Sequence, residues 1–312
     1  MTHPRRFRFA LQLVQASSGI EWAEMARRAE ADGFAVLSLP DHLGDQFAPV
    51  PALAAAAMVT SRIRFSMFVL ANDNRHPGIL AKEIATVDLL SGGRMELGIG
   101  AGWTKTEYDA LGISFDKPSI RIERLGEAVK ILRGAFTQDA VTFAGKYYRV
   151  TDLAIRPRPA QKGGIPIVMG GGGPKMLALA AREANVVSVA SNNAKRPRMT
   201  DPLDGFAFDK VAAQVAGVRE AAGARFDSLE LNCRILAVAV TDDRVAAARQ
   251  LSAQMQVPAE DLLSSPFAFI GSIDQIGAQI ERQREQLAVS YYTISQRHAA
   301  PLAPLVERLT GK

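Results

Sequence analysis

Gly98, Gly100 and Gly102 alternate at the end of a short apolar run, and Trp103, Glu107 and Tyr108 follow close behind. Glycine has no Cβ, lets backbone approach a ligand closely and admits positive φ. The alternation therefore predicts a strand that ends against something flat, with the aromatic and polar residues at the rim. A dinucleotide fingerprint, G-x-G-x-x-G, is excluded because Trp103 stands where its third glycine belongs. No convincing strand about 20 residues further on carries the acidic residue that would complete such a unit.

A second glycine run, Gly170, Gly171, Gly172 and Gly173, lies between a strand pattern and a helix opened by Pro174. Its backbone N–H groups can turn inward, and a proline at the first helical position leaves the free amides and the positive dipole end on the same side. That is how a phosphate site is built. A flexible strand-to-helix turn is the plainer alternative. The Lys-Ser/Thr ending of a P-loop is missing, which disfavours ATP hydrolysis. Asp41 and His42 end another strand pattern. In a strand they would point to opposite sides, whereas in a loop either can face a ligand. Imidazole titrates near neutral pH and suits proton transfer, but an Asp capping a helix beside a surface His is the commoner arrangement. Arg75-His76-Pro77 reads first as a cap and turn, and second as a cationic strand rim. The nucleophile motif G-x-S-x-G is absent, and the four histidines lack zinc-ligand spacing.

The elements that position these residues alternate almost from end to end. Strands are predicted over 7–14, 35–39, 63–70, 95–99, 165–169, 186–189, 229–240 and 291–295. Helices are predicted over 21–32, 51–61, 79–91, 121–136, 174–183, 208–222, 243–255, 273–287 and 302–309, with a hairpin excursion over 141–150. Eight strands with helices between them make a (β/α)8 TIM-like barrel, one domain over 1–312, with insertions after strands four and six. Function in such barrels sits at the carboxyl ends of the strands. That rule selects Asp41, His42, residues 71–76, 100–108 and 170–173, and the segment from 191 onward.

Composition narrows the class. A chain of 312 residues, 48% hydrophobic, can bury a large core. No apolar run reaches membrane-spanning length and no signal-peptide pattern opens the chain, so a cytoplasmic protein without a membrane partner is expected. The net charge of +5 is spread among acidic residues along helices, which argues against nucleic acid. Lys195-Arg196-Pro197-Arg198 is the one basic cluster, a solvated loop or a grip on an anionic tail. Cys233, the single cysteine, lies in an apolar pattern and is expected to be buried and inert.

The run from Arg75 to Trp103, joined to Glu107 and Tyr108, resembles the central signature of the bacterial luciferase-like monooxygenases. It is most similar to the branch that uses the deazaflavin coenzyme F420. Pro40-Asp41-His42 and the Gly170 loop match too, so the likeness covers most of the first 190 residues, while the C-terminal third matches mainly in its order of elements. The resemblance implies a TIM-like barrel, usually a homodimer, holding a flavin or deazaflavin ring at its mouth with the phosphate on Gly170 to Gly173. It implies a non-prolyl cis peptide within Phe68-Val69-Leu70, behind the ring, and ring contacts from Gly100, Gly102 and Trp103. Some relatives carry a carboxylate where this chain has Trp103, so no catalytic carboxylate is carried over to that position and sugar-phosphate dehydrogenation becomes less attractive. The implied activity is hydride transfer between F420 and a small organic substrate, with His42 or Asp41 moving the proton and Lys195 to Arg198 meeting the acidic cofactor tail. With FMN instead, the same scaffold would perform monooxygenation. Two rivals are a non-catalytic cofactor-binding protein, told apart by measured hydride exchange, and a phosphosugar-handling barrel without redox cofactor, told apart by colour on cofactor soaking.

Overall fold

The computed structural model describes residues 5–190 and 205–312. The first half runs β1 (Arg8–Gln12), α1 (Gly19–Ala31), β2 (Val36–Leu39), α2 (Pro49–Ala57), β3 (Arg64–Met67), β4 (Leu70–Ala71), α3 (Pro77–Leu90), β5 (Met95–Gly100), α4 (Lys105–Leu111), α5 (Pro118–Thr137), β6 (Val141–Ala144) and β7 (Arg149–Leu153). The second runs β8 (Ile167–Gly171), α6 (Pro174–Glu183), β9 (Val186–Val189), α7 (Phe208–Ala222), β10 (Glu230–Arg234), β11 (Ala237–Val240), α8 (Arg244–Met255), α9 (Ala259–Ser264), β12 (Ala268–Gly271), α10 (Ile273–Leu287), β13 (Val289–Ser295) and α11 (Ala299–Leu309). Barrel strands follow the order β3, β2, β1, β13, β10, β9, β8, β5, and a β3–β5 pairing closes the ring, with β4 continuing β3. This is the expected parallel (β/α)8 barrel. Its strands read as continuous apolar runs because both faces are covered: every residue of β2 and β5 is buried.

The chain divides into two compact units, one of Met1–Gln12, Ala31–Val36 and Gly170–Lys312, the other of Leu13–Glu30 and Leu37–Met169. In the first, Phe9 and Phe269 both pack on Tyr292, and Cys233 is fully buried with its thiol pushed well up by desolvation. In the second, Leu37, Phe65, Ile84, Leu97 and Leu125 are completely buried. Arg94 fastens the α2–β3 connection there, donating to the carbonyls of Ala57, Thr60 and Ile63 while its guanidinium covers the Phe65 ring. Among the described residues, no helix is long and apolar enough to cross a membrane.

Two elements differ from their predicted spans. The predicted strand over 63–70 is interrupted: β3 ends at Met67 and β4 starts at Leu70, and between them the Phe68–Val69 peptide bond is cis, the non-prolyl cis bond expected within Phe68-Val69-Leu70. The run over 229–240 is two strands: Ile235 N still donates to Thr293 O of the barrel, but Leu236 N turns to Phe267 O. From there β11 pairs in parallel with β12, so a further insertion, with α8 and α9, follows the seventh barrel strand. The excursion after strand four is α4, α5 and the β6–β7 hairpin. Residues 191–204, where the expected insertion after strand six would start, lie outside the described residues, and so does the Lys195 to Arg198 cluster.

Candidate active site

Pro40 has no N–H to continue the β2 ladder, so Asp41 and His42 leave the strand as a loop. After β5, Gly102 turns the chain with φ +72° and α4 begins, placing Glu107 in its first turn. These elements bring three side chains together. His42 Nδ1 lies 3.0 and 3.3 Å from the Glu107 carboxylate oxygens, and Leu43 N donates to the nearer one at 3.2 Å. Trp103 meets the imidazole edge to face, 5.9 Å between centroids and 88° between planes. The His42 side chain is 35% exposed and Glu107 20%. A carboxylate accepting from Nδ1–H fixes the tautomer, leaving Nε2 to accept or, when protonated, deliver a proton. Nε2 has no hydrogen-bond partner among the described residues.

Asp41 is engaged elsewhere. Its Oδ2 accepts from Ala71 N at 3.0 Å and Arg75 Nη1 at 2.8 Å, and its Oδ1 accepts from Arg75 Nη2 at 3.0 Å. This two-pronged pair raises the Arg75 pKa against the lowering effect of burial. It ties the loop after β2 to the rim of β4. His76 is a cap: its Nδ1 accepts from Gly78 N at 3.1 Å at the start of α3. Tyr108 donates to Asp73 Oδ2 at 3.0 Å, and Arg124 grips the same carboxylate at 2.8 Å through both Nε and Nη2. Burial and then Asp73 push the Tyr108 hydroxyl well up.

The strand-end glycines make room for the protein itself. A Cβ on Gly98 would run into the Met67 carbonyl, one on Gly100 would lie 2.8 Å from Val69 Cγ2, and one on Gly102 would strike the Tyr108 hydroxyl. The alternation thus allows close approach of neighbouring backbone and side chains. Two polar atoms beside these strand ends, Thr104 Oγ1 and Asn74 Oδ1, are buried with no partner among the described residues.

In the first unit, Gly170 and Gly171 belong to β8. A Cβ on Gly170 would lie 2.9 Å from Ser188 Cβ, and one on Gly171 would lie 2.7 Å from Met176 Cγ. Gly173 caps α6 with φ −88°, Pro174 opens the helix, and Gln214 Nε2 holds the Gly172 carbonyl at 2.8 Å. None of the four is among the positive-φ glycines, so the anion-binding capacity of this segment rests on the helix terminus rather than on an alternating backbone nest.

The luciferase-like monooxygenase family matches residues 7–290, across both units. The chain belongs to this family. An F420-dependent glucose-6-phosphate dehydrogenase of Nakamurella multipartita is 34% identical over 236 residues, 73% of this chain and 66% of that protein. A 5,10-methylenetetrahydromethanopterin reductase of Archaeoglobus fulgidus is 31% identical over 191 residues, 61% of this chain and 54% of its own. The matches thus span about two thirds or less of these curated relatives' lengths. A solved coenzyme F420-dependent tetrahydromethanopterin reductase from Methanopyrus kandleri superposes with a TM-score of 0.74 over 97% of this chain and 96% of its own, at 20% identity, and shares the fold.

Sequence reasoning placed His42, Glu107 and Trp103 at the rim but missed the His42–Glu107 pair. The pair joins the loop after β2 to the first turn of α4, which local spacing does not reveal. The Asp41–Arg75 pair is hidden in the same way, because it joins two loops.

Proposed function

We propose that this protein is an F420-dependent oxidoreductase that moves a hydride between the coenzyme and a small organic substrate, with His42 as the proton-transfer group. The observation that carries this reading is the His42–Glu107 pair beside Trp103, an imidazole oriented by a carboxylate with its second nitrogen free among the described residues. The F420-dependent relatives named above support the choice of cofactor.

The residues present fit a flat polar cofactor. Partly exposed Trp103 and His42 offer ring edges and faces, and the buried, unpartnered Thr104 Oγ1 and Asn74 Oδ1 supply hydrogen-bonding groups. Phe68, Val69, Leu70 and Trp103 would hold the ring, with Gly100 and Gly102 giving Val69 and Tyr108 their places. Gly170 to Gly173 and the first amides of α6 would take the phosphate. Bound F420 supplies a carbon, C5, that gives or accepts a hydride. In the reducing direction, protonated His42 Nε2 donates a proton to the heteroatom or carbon left electron-rich when hydride reaches a C=C, C=O or C=N bond. In the oxidising direction neutral Nε2 accepts it. Glu107 stabilises the imidazolium, and Asp41 acts as a positioning residue through Arg75 and Ala71 N. The exposed apolar side chains of Met58 (67%), Ile79 (61%) and Leu90 (55%), on and beside α2 and α3, support a homodimer.

The test is a screen of reduced F420 against activated alkenes, carbonyls and imines, followed by kinetics of His42→Ala on any substrate found. Turnover should fall by roughly 10²-fold or more while F420 affinity stays within a few-fold. A raised KM with kcat intact would show that His42 only shapes the pocket.

A further inference from the structure

The first unit carries a row of polar side chains whose upper end is incomplete. Ser188 Oγ donates to Asn232 Oδ1 at 2.8 Å, and Asn232 Nδ2 donates to Thr293 Oγ1 at 3.0 Å, all three buried. Strand alternation puts residues i and i+2 on one face, so Arg234 follows Asn232, and Ser295 follows Thr293, toward the carboxyl ends of β10 and β13. The register sets Gln12 opposite Ser295 at the end of β1. Gln12 is 3% exposed, yet its Nε2 has no acceptor among the described residues. Arg234 has no ion-pair partner among them.

Arg297 and His298 follow in the turn after β13, and His298 Nδ1 lies 3.3 Å from Ser295 Oγ. Burial and Arg297 lower the Arg234 pKa, while burial, Arg297 and Arg234 push His298 down to about 4. Arg234 stands opposite Thr293 in the register and Arg297 follows β13 closely, so both guanidinium groups spring from the same end of these neighbouring strands. Groups that mostly donate, two of them like-charged, suit an oxyanion, which takes charge-assisted hydrogen bonds.

We propose that Gln12, Arg234, Ser295 and Arg297 form a binding site for an oxyanion, a carboxylate or a phosphate. The carboxyl ends of the last two strands are where barrel enzymes commonly build anion sites.

Calorimetric titration of the full chain with inorganic phosphate and, separately, with acetate, against a sodium chloride control, tests the subsite. The His298 imidazole NMR signal serves as a local reporter. At least one of the two anions should saturate with a dissociation constant below about 10 mM and move the His298 titration upward. Arg234→Gln should weaken that binding about tenfold or more. The anion that binds identifies the acidic group the site takes. Equal affinity in Arg234→Gln and the unaltered protein, or no saturation by either anion up to about 100 mM, overturns the subsite. Should Arg234→Gln fail to fold, the exposed Arg297→Gln carries the same comparison. An F420 titration of the same samples separates the two claims. F420 binding without an anion site rejects this inference alone, and an Arg234-dependent anion site without F420 binding rejects the hydride-transfer reading alone.

Discussion

Adjacent in sequence, Asp41 and His42 differ in their partners, and the tasks proposed for them follow from that difference. His42 meets a carboxylate through one nitrogen only, which suits an imidazole that must change protonation state. Asp41, with an 8% exposed side chain, spends both oxygens on Arg75 and a backbone amide, which suits a fixed charge. Asp41→Asn should therefore cost stability, about 1–3 kcal/mol read by denaturant unfolding. The kcat of the folded variant should stay within about tenfold of the parent. An unchanged unfolding midpoint with kcat down about 10²-fold would instead return Asp41 to the proton relay.

Among the elements, those with strong internal signals were legible from residues alone. α10 coincides with its predicted span because Ser272 and Gln275 form a reciprocal capping box at its start and an apolar face runs through Ile276, Ile280 and Leu287. α7 ends where Gly223 takes φ +53°. The broken third strand and the β11–β12 excursion were not legible from periodicity, since a short apolar run reads alike whether it continues, kinks or crosses to another partner. The glycines of β5 were legible as close approach, and the structure supplies the Met67 carbonyl beside Gly98 and the Val69 side chain beside Gly100 as neighbours. The β6–β7 hairpin shows how one side chain can hold an element. Glu127 of α5 accepts from the N–H groups of Lys146, Tyr147 and Tyr148 at 2.7, 2.9 and 3.0 Å. Burial alone would raise its pKa, but these three amides and then Lys130 bring it below the ordinary 4.5. Folded-state protonation is disfavoured, so the clasp is fully present above pH 4.5 and is lost as pH falls through the lowered value. Glu127→Ala should speed amide exchange at 146–148 at neutral pH and abolish the acid-dependent change, with the barrel amides unaffected. Unaltered exchange at those three amides would show that the hairpin holds without the clasp.

At the scale of the whole molecule, family membership follows from a match across residues 7–290, whereas the cofactor and the assembly are our proposals. A homodimer through the apolar side chains beside α2 and α3 should persist on dilution and be weakened by Ile79→Glu, and a monomer at every concentration would contradict it. The central claim is the cofactor. The most direct measurement is fluorescence titration of the purified protein with F420 and, in parallel, with FMN. The proposal predicts saturable binding of F420 at one site per chain, and FMN weaker by at least about tenfold. Tight FMN binding with none of F420, or no binding of either, would contradict it.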